Sequence, residues 1–534
     1  MTCHALSSGC AAARCKGVPI RDWMMIQPLG RIVEFHSTDS SDDRRAHVLL
    51  SWSLLVSMVA LPFSSTSSRS PAGSRLVITA FAVACALGSG CSMHRVDTAP
   101  LPEFPVRNDS QAGNGTRENL SPDHSWWRNF GDPVLDRLVE NGLEYSPDLQ
   151  AVWFRVRQAE AIARGRQALR GPEIGLSGST SSEFQHRNER SDTHRGGVTA
   201  TWDPDFFGGQ RFAAMEGFYR FRAQEEAFAL ARLNLSGEIT NTYLDLVGFE
   251  LIHLLIEGQK ANAEEYLHIV EARARQGIVS RLDVLQQAGQ VLEIDSQVPP
   301  VLSEIRRAQL RLAVLTGQNP DTIEEIRPPL HFPQLPEKPG PGQPLQLVSE
   351  RPDLRLAQNE LVAADAGAAA LIAASWPSLN ASVDAFWREG VSARGEIVSL
   401  ALHAFQPLFD GGRRRADRDG AEALVEEKRA IFLQVFLQSI AEVEESFYAE
   451  QQQADLLGRL NQQRGLAAET LEQAMERYSA GLTDLLPVIS ARENLNTLDQ
   501  RILHETRDLF KRRVNLHAAL GGPIAAPASL SDEG

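Results

Sequence analysis

Much of this 534-residue chain is written twice, at a spacing close to 205 residues. Ser146-Pro147-Asp148-Leu149 returns as Arg351-Pro352-Asp353-Leu354, and Pro172 returns as Pro377, both at an offset of 205 (352 − 147 and 377 − 172). The eight residues Pro204 to Arg211 (PDFFGGQR) return as Pro407 to Arg414 (PLFDGGRR) at 203, a slip of two that a loop absorbs. Gly277-Ile278 matches Gly481-Leu482, and Leu312 with Gly317 matches Leu516 with Gly521, all at 204. A period this long is a duplicated half-protein, not a solenoid unit. Whatever one copy builds, the chain must build twice.

Each copy contains two strand-like segments. Ile174 and Leu176 open an alternating run to about Phe184, and Val198 to Trp202 follows a polar loop at Gln185 to Gly197. In the second copy Leu379, Ala381 and Val383 alternate ahead of Phe386-Trp387, and Ile397 to Phe405 follows a turn-like stretch from Arg388 to Gly395. Strands are expected at about 172–184 and 196–205, then at about 377–388 and 396–408. Each is near the ten residues that a tilted membrane strand needs, yet four strands cannot close a barrel that starts at about eight. Either they form an open soluble sheet or several chains share one barrel, and periodicity alone leaves both open.

The helices weigh on that choice. The spans 209–277 and 412–481 contain no proline, and each as continuous helix would run about 100 Å, too long for a globular domain and suited to a tube. Apolar stripes through Phe228, Leu235, Ile239 and Tyr243, and through Ile431, Val435, Ile440 and Val443, indicate helix-on-helix packing. Ahead of the first strand pair, Trp126-Trp127-Arg128-Asn129-Phe130-Gly131-Asp132 opens a helical pattern, and a second helix runs from Asp148 to about Arg170. The proline-rich residues 321–345 read as an irregular connection between the halves.

Composition excludes several functions. A net charge of −15 without a basic stripe argues against nucleic acid as a partner. There is no phosphate loop, nucleophile elbow or clustered metal-ligand motif, so no enzymatic activity, cofactor or metal is expected. His253, His268 and His403 stand isolated.

All five cysteines lie within the first 91 residues. Arg75 precedes an apolar run, Leu76 to Leu87, of signal-peptide length, and the run ends in Gly88-Ser89-Gly90-Cys91. This resembles a bacterial lipoprotein signal with Cys91 as the lipidated first residue. Gly88 stands where the pattern usually has Leu, and Cys85 is the second candidate. Alternatively, the signal is simply cleaved and the cysteine incidental. Residues 1–90 are then a non-mature extension, with a true start expected nearer Met58, residues 91–122 a lipid-anchored tether, and 523–534 a flexible tail.

Taken in order, Trp126-Trp127…Phe130-x-Asp132, Pro-x-Phe-x-Gly-Gly-x-Arg in both halves, Arg351-Pro352-Asp353-Leu354, the paired glycine turns and Leu520-Gly521-Gly522 resemble the TolC-like outer-membrane efflux family. Within it they are similar to the lipoprotein branch serving resistance–nodulation–division pumps. The resemblance covers about 91–522, with repeats at 123–320 and 346–522. It implies a mostly α protein with transmembrane β, a homotrimer sharing a 12-stranded barrel continued by a long periplasmic helical barrel. It further implies a passive channel in the outer membrane of a Gram-negative bacterium, in contact with outer-membrane lipid. Its partners would be a periplasmic adaptor and an inner-membrane transporter. Gly208, Gly209, Gly411 and Gly412 would mark the strand-to-helix turns. The turns carrying Gly277, Ser280 and Asp283, and Gly481 and Thr483, would be the adaptor-docking tips. The second turn would line the closed aperture. Relatives often place acidic residues there, but this sequence has Pro487 and Ser490, with Leu486 at a hydrophobic gate position. An apolar gate is therefore expected, with Asp484 an off-axis charge. The competing readings are a type I protein-secretion exit channel and a soluble coiled-coil scaffold or adaptor.

Overall fold

A computed structural model describes residues 125–184, 190–320, 326–338, 351–390 and 393–521. Cys85, Cys91, the proposed tether and the C-terminal tail lie outside the described residues. After a single-turn 3₁₀ helix at Trp126–Phe130 come α1 (Pro133–Tyr145), α2 (Pro147–Ala168), β1 (Glu173–Phe184), β2 (Arg190–Trp202), α3 (Gly209–Arg275), α4 (Arg281–Asp295) and α5 (Val298–Leu315). The second copy supplies α6 (Pro352–Ala373), β3 (Ser378–Gly390), β4 (Ala393–Phe405), α7 (Arg413–Ser479) and α8 (Leu486–Ala519). The expected long helices are there, each of 67 residues and so about 100 Å long.

The four strands form one antiparallel sheet in the order β1-β2-β3-β4. Each hairpin belongs to one repeat, and β2 with β3 joins the repeats, from Thr193 opposite Gly390 to Trp202 opposite Ala381. Strands run further into the hairpins than sequence suggests. The expected loop from Gln185 to Gly197 is strand from Arg190 onward, and of the expected turn from Arg388 to Gly395, residues up to Gly390 and from Ala393 onward are strand. Charged residues and glycines made these segments look like loops. Ladder pairing carries through them, and Gly197 is required because a Cβ there would collide with the β3 backbone at Ala385 and Phe386.

Register divides the sheet into two faces, because directly opposed residues share a side. One face carries Ile174, Leu176, Val198, Ala200, Val383, Val398, Leu400 and Leu402, largely exposed. The other carries Ser177, Ser179, Thr199, Ser382, Asp384 and Ser399. On the apolar face Trp202, opposite Ala381, and Trp387 are separated by six residues of β3, about 20 Å along the strands.

The main core lies halfway down the long helices. Leu135, Leu138 and Val139 of α1, Leu235 through Val247 of α3, Leu312 of α5 and Phe510 and Val514 of α8 bury one another there. Being enclosed by α1, α5 and α8 explains why this stretch of α3 is apolar enough to pass for a membrane span. The N-terminal aromatic motif fastens the core. Trp126 donates to Ser236 Oγ at 3.3 Å and stacks on His517 at 5.7 Å, and Phe130 packs on Phe510. Asp132 caps α1 through the amide of Val134 at 2.8 Å, while its other oxygen accepts the buried Tyr243 hydroxyl. Of the connecting segment, residues 326–338 are irregular as expected, with Phe332 stacked on Phe510.

The duplicated Pro-Asp-Leu and Leu-Gly motifs meet in space. Gly317 ends α5 with a positive φ and packs against the carbonyl of Tyr145, where a Cβ would clash. Gly521 does the same after α8, where a Cβ would sit 2.9 Å from Arg351 Cγ. Arg351 completes the second junction: it grips Asp353 bidentately, reaches Glu442 of α7 at 2.7 Å and donates to the Ala519 carbonyl at 2.7 Å. Each repeat therefore closes on the start of the helix that leads into its own first strand, α2 in one copy and α6 in the other. The copies diverge where α4 and α5 break at Ser296-Gln297 ahead of Pro299-Pro300, while α8 is unbroken over 34 residues.

Two buried ionisable sites in this core give measurable consequences. Glu450 and Arg513 form a bidentate pair at 2.9 and 2.7 Å between α7 and α8, both almost fully buried. Glu450→Gln leaves a buried guanidinium uncompensated and is expected to cost about 3–5 kcal/mol. Calorimetry should show a large loss there, and a far smaller one for the double replacement Glu450→Met/Arg513→Leu. Burial pushes the His517 imidazole down to about 4, with the positive charge of Arg513 adding to the effect. The unfolded chain takes up that proton near 6.5 and the folded one only near 4, so stability falls as pH drops through this window. The loss, up to about 3 kcal/mol per protomer, should vanish in His517→Phe when melting is followed from pH 7 to pH 4.

Candidate functional site

The two ends of the long helices carry the residues that sequence singled out. At the strand-to-helix junctions, Gly208, Gly411 and Gly412 adopt left-handed φ values of 81°, 67° and 89°. Gly209 does not: it is the first residue of α3 and outside that region, so only three of the four glycines are needed for backbone angle. The helix starts are held by carboxylates that sequence reasoning missed. Asp205 accepts from the amides of Gln210 at 3.2 Å and Arg211 at 2.7 Å. In the second copy Asp410 accepts from the amides of Gly412 at 3.1 Å and Arg414 at 3.3 Å. The Arg414 side chain also donates to it and holds its carboxyl below the usual range. The two aspartates occupy different positions of the repeated motif, one and three residues after the proline, so alignment of the copies hides their common role.

At the far ends, both long helices stop in the same way. Gly277 and Gly481 take φ values of 75° and 71°. Ile278 N donates back to Arg273 O at 3.0 Å and Leu482 N to Arg477 O at 2.9 Å, the Schellman pattern that closes a helix on a left-handed residue. Beyond the glycines the tips differ. Ser280 and Asp283 form a reciprocal capping box at the start of α4, with Ser280 N to Asp283 Oδ2 at 2.8 Å and Asp283 N to Ser280 Oγ at 3.3 Å. In the second tip no side chain caps α8, and Pro487 lies in its first turn. Thr483 is half-buried with its hydroxyl unpartnered, while Asp484 is exposed.

The residues expected at the gate, Asp484 apart, fall on one ridge of α8. Leu485 is buried against Val270 and Val488, whereas Leu486, Pro487 and Ser490 are exposed, Leu486 to 56%. The same exposed ridge continues to Glu493 and Thr497, one and two turns further along α8. Glu493 was missed in sequence, although its i, i+3 spacing from Ser490 would have placed it there. Behind the ridge, Arg492 lies over the Tyr266 ring at 4.9 Å and Arg273 over Tyr478 at 5.8 Å, tying α8 to α3 and α3 to α7. No sequence signal marks these pairs, since more than 200 residues separate the partners.

Fold and ends together define a class: duplicated protomers that lay a β hairpin beside a long helical hairpin, with both outer sheet edges unpaired among the described residues. The family model described as outer membrane efflux protein matches residues 138–318 and 344–522, and the chain belongs to that family. The gap between the matched segments falls on the irregular connection. Pyoverdine export outer membrane protein OpmQ of Pseudomonas aeruginosa is 29% identical over 428 residues, 76% of this chain and 89% of its own length. Nodulation protein T of Rhizobium leguminosarum bv. trifolii is 25% identical over 447 residues, covering 79% and 94% of the two chains. Among solved structures, the outer-membrane channel OprN superposes with a TM-score of 0.71 at 25% identity over 80% of this chain and 99% of its own. The Campylobacter jejuni CmeC outer membrane channel shares the fold with a TM-score of 0.74 at 18% identity, over 83% of this chain and 96% of its own.

The capping difference between the tips is measurable. Ser280→Ala is expected to weaken the first turn of α4 by about 1 kcal/mol. Hydrogen exchange should register faster amide turnover at residues 281–284, with the start of α8 unchanged.

Proposed function

We propose that this protein is the outer-membrane channel of a tripartite efflux system, a passive exit duct and not an enzyme. One observation carries the shared-barrel form of that reading: a four-stranded sheet with one apolar face and two unpaired edges, β1 and β4. In lipid every backbone amide must be paired, and an open edge is not tolerated. Pairing β1 of one protomer with β4 of the next removes both edges, and three protomers give twelve strands. The helices follow the strands, so α2 meets the neighbour's α7. Exposed Phe154 and Ile162 on α2, and Leu437 and Tyr448 on α7, are suited to that contact. The band of Val198, Val383, Leu400 and Leu402 faces lipid, bounded by Trp202 and Trp387 in the manner of aromatic girdles.

The helical hairpins then form a periplasmic tunnel. Its tips at Gly277, Ser280 and Asp283 and at Gly481 and Thr483 meet a membrane-fusion adaptor, which connects to a resistance–nodulation–division transporter. Leu486 from three protomers closes the tunnel by apolar contact, with Ser490 behind it, Glu493 a turn further in and Asp484 off the axis. The glycines at 208, 411 and 412 turn the chain from barrel to tunnel. Lipidation at Cys91 anchors the mature N-terminus. Small-molecule efflux is favoured over protein secretion because relatives named for their cargo export pyoverdine and toluene.

Detergent extraction of outer membranes should yield particles of three chains, and a water-soluble monomer would overturn the channel reading. In planar bilayers Leu486→Ser should raise conductance several-fold over the wild type. An unchanged closed state would remove Leu486 from the gate.

A further inference from the structure

We infer that Arg195 and Arg388 form an anion-binding collar at the outer mouth of the barrel, which selects for anionic cargo on its way out. The inference rests on the channel reading above. Arg195 on β2 lies directly opposite Arg388 on β3, and both belong to the polar face, which that reading turns toward the lumen. Arg388 is two residues from Gly390, the outer end of β3. Three protomers therefore place six guanidinium groups around one level of the duct.

Several features separate this pair from ordinary surface charge. Like charges directly opposed across a ladder are unfavourable. Among the described residues no carboxylate lies within ion-pair distance of either arginine. On the opposite face at the same end, Arg394 is paired with Glu389 at 3.6 Å; on the polar face, Glu183 of β1 stands four residues along the strand from Ser179, the residue opposite Arg195. The Arg195 guanidinium lies 5.7 Å from the centroid of the ring of Phe386, the residue directly opposite Gly197. That contact holds the side chain while its donors stay free. The nearest carboxylate on this face along β3, Asp384, is four residues further in and accepts a hydrogen bond from Ser399 at 3.4 Å. At about 3.3 Å per residue it is some 13 Å away, beyond a Debye length at physiological salt.

Charges at membrane depth that face water mark the path of what moves, and rings of arginine favour anions. Guanidinium forks match carboxylate and phosphate oxygens. The collar suits small molecules bearing several such groups, and its placement at the exit prevents it from acting on the pump's own choice of substrate. The overall charge of −15 makes a basic ring on this chain a local departure.

Inositol hexakisphosphate, a polyanion small enough to enter from outside whatever the state of the periplasmic gate, serves as probe. Titration calorimetry on the detergent-extracted trimer at low salt should show one site per three chains. Affinity should fall at least tenfold in Arg195→Gln/Arg388→Gln, return in Arg195→Lys/Arg388→Lys and be unchanged in Arg394→Gln. Reversal potentials in a KCl gradient should shift toward cation preference in the Gln variant. Absent binding by the wild type, equal binding by the Gln variant, or equal loss in Arg394→Gln would each overturn the collar. A particle that is not a trimer would instead defeat the channel reading beneath it.

Discussion

A β-strand carries unpaired donors and acceptors along each edge, and hydrocarbon offers them no partner. In this protein two strands per repeat and two repeats per chain leave the edges of β1 and β4 open in the protomer. The rest of the structure accommodates that deficit. The sheet has one apolar and one polar face, the hairpins are extended to their limits, and each strand is continued by its own helix. Closing the edges with further copies converts a chain that is half a repeat of itself into a ring. The symmetry of the duplication thus becomes, in the proposed assembly, an approximate six-fold symmetry of strands and helices.

The second organising element is the core halfway down the helices. There the duplicated motifs are joinery. Gly317 and Gly521 bring the end of each repeat against the start of the helix that leads into its first strand, and only glycine fits the contact with the left-handed backbone found there. The N-terminal aromatics link α3 to α8 across the repeat boundary, and Glu450 with Arg513 locks α7 to α8. The long helices pack along their whole length, with further apolar clusters toward both ends, and this girdle is where most of the buried polar residues gather.

Much of this was legible in the chain. Proline-free spans defined the long helices to within about two residues, and glycines repeated at 204 proved to be helix stops with positive φ. Those features depend on local backbone preference, which sequence carries directly. The strand ends were misread because Gly196, Gly197 and Gly395 are turn formers in isolation and became ladder residues only beside their partner strands. Asp205 and Asp410 escaped notice because the same capping is done from non-equivalent positions, and the cation–π pairs Arg492–Tyr266 and Arg273–Tyr478 because their partners are distant in sequence. On the exposed ridge at the start of α8, Leu486 and Ser490 were found by likeness to relatives, while Glu493 needed the helix register.

The reciprocal cap at Ser280 and Asp283 has no counterpart where α8 begins. The first hairpin is clamped at its tip, and the second is held there mainly by packing of Leu485 and by arginine–aromatic contacts. In the proposed ring of six hairpins, stiff and compliant members then alternate. Such a ring does not dilate uniformly under load. It deforms as three leaves moving within a fixed frame of three struts, so the mechanical unit of opening has half the symmetry of the wall that contains it.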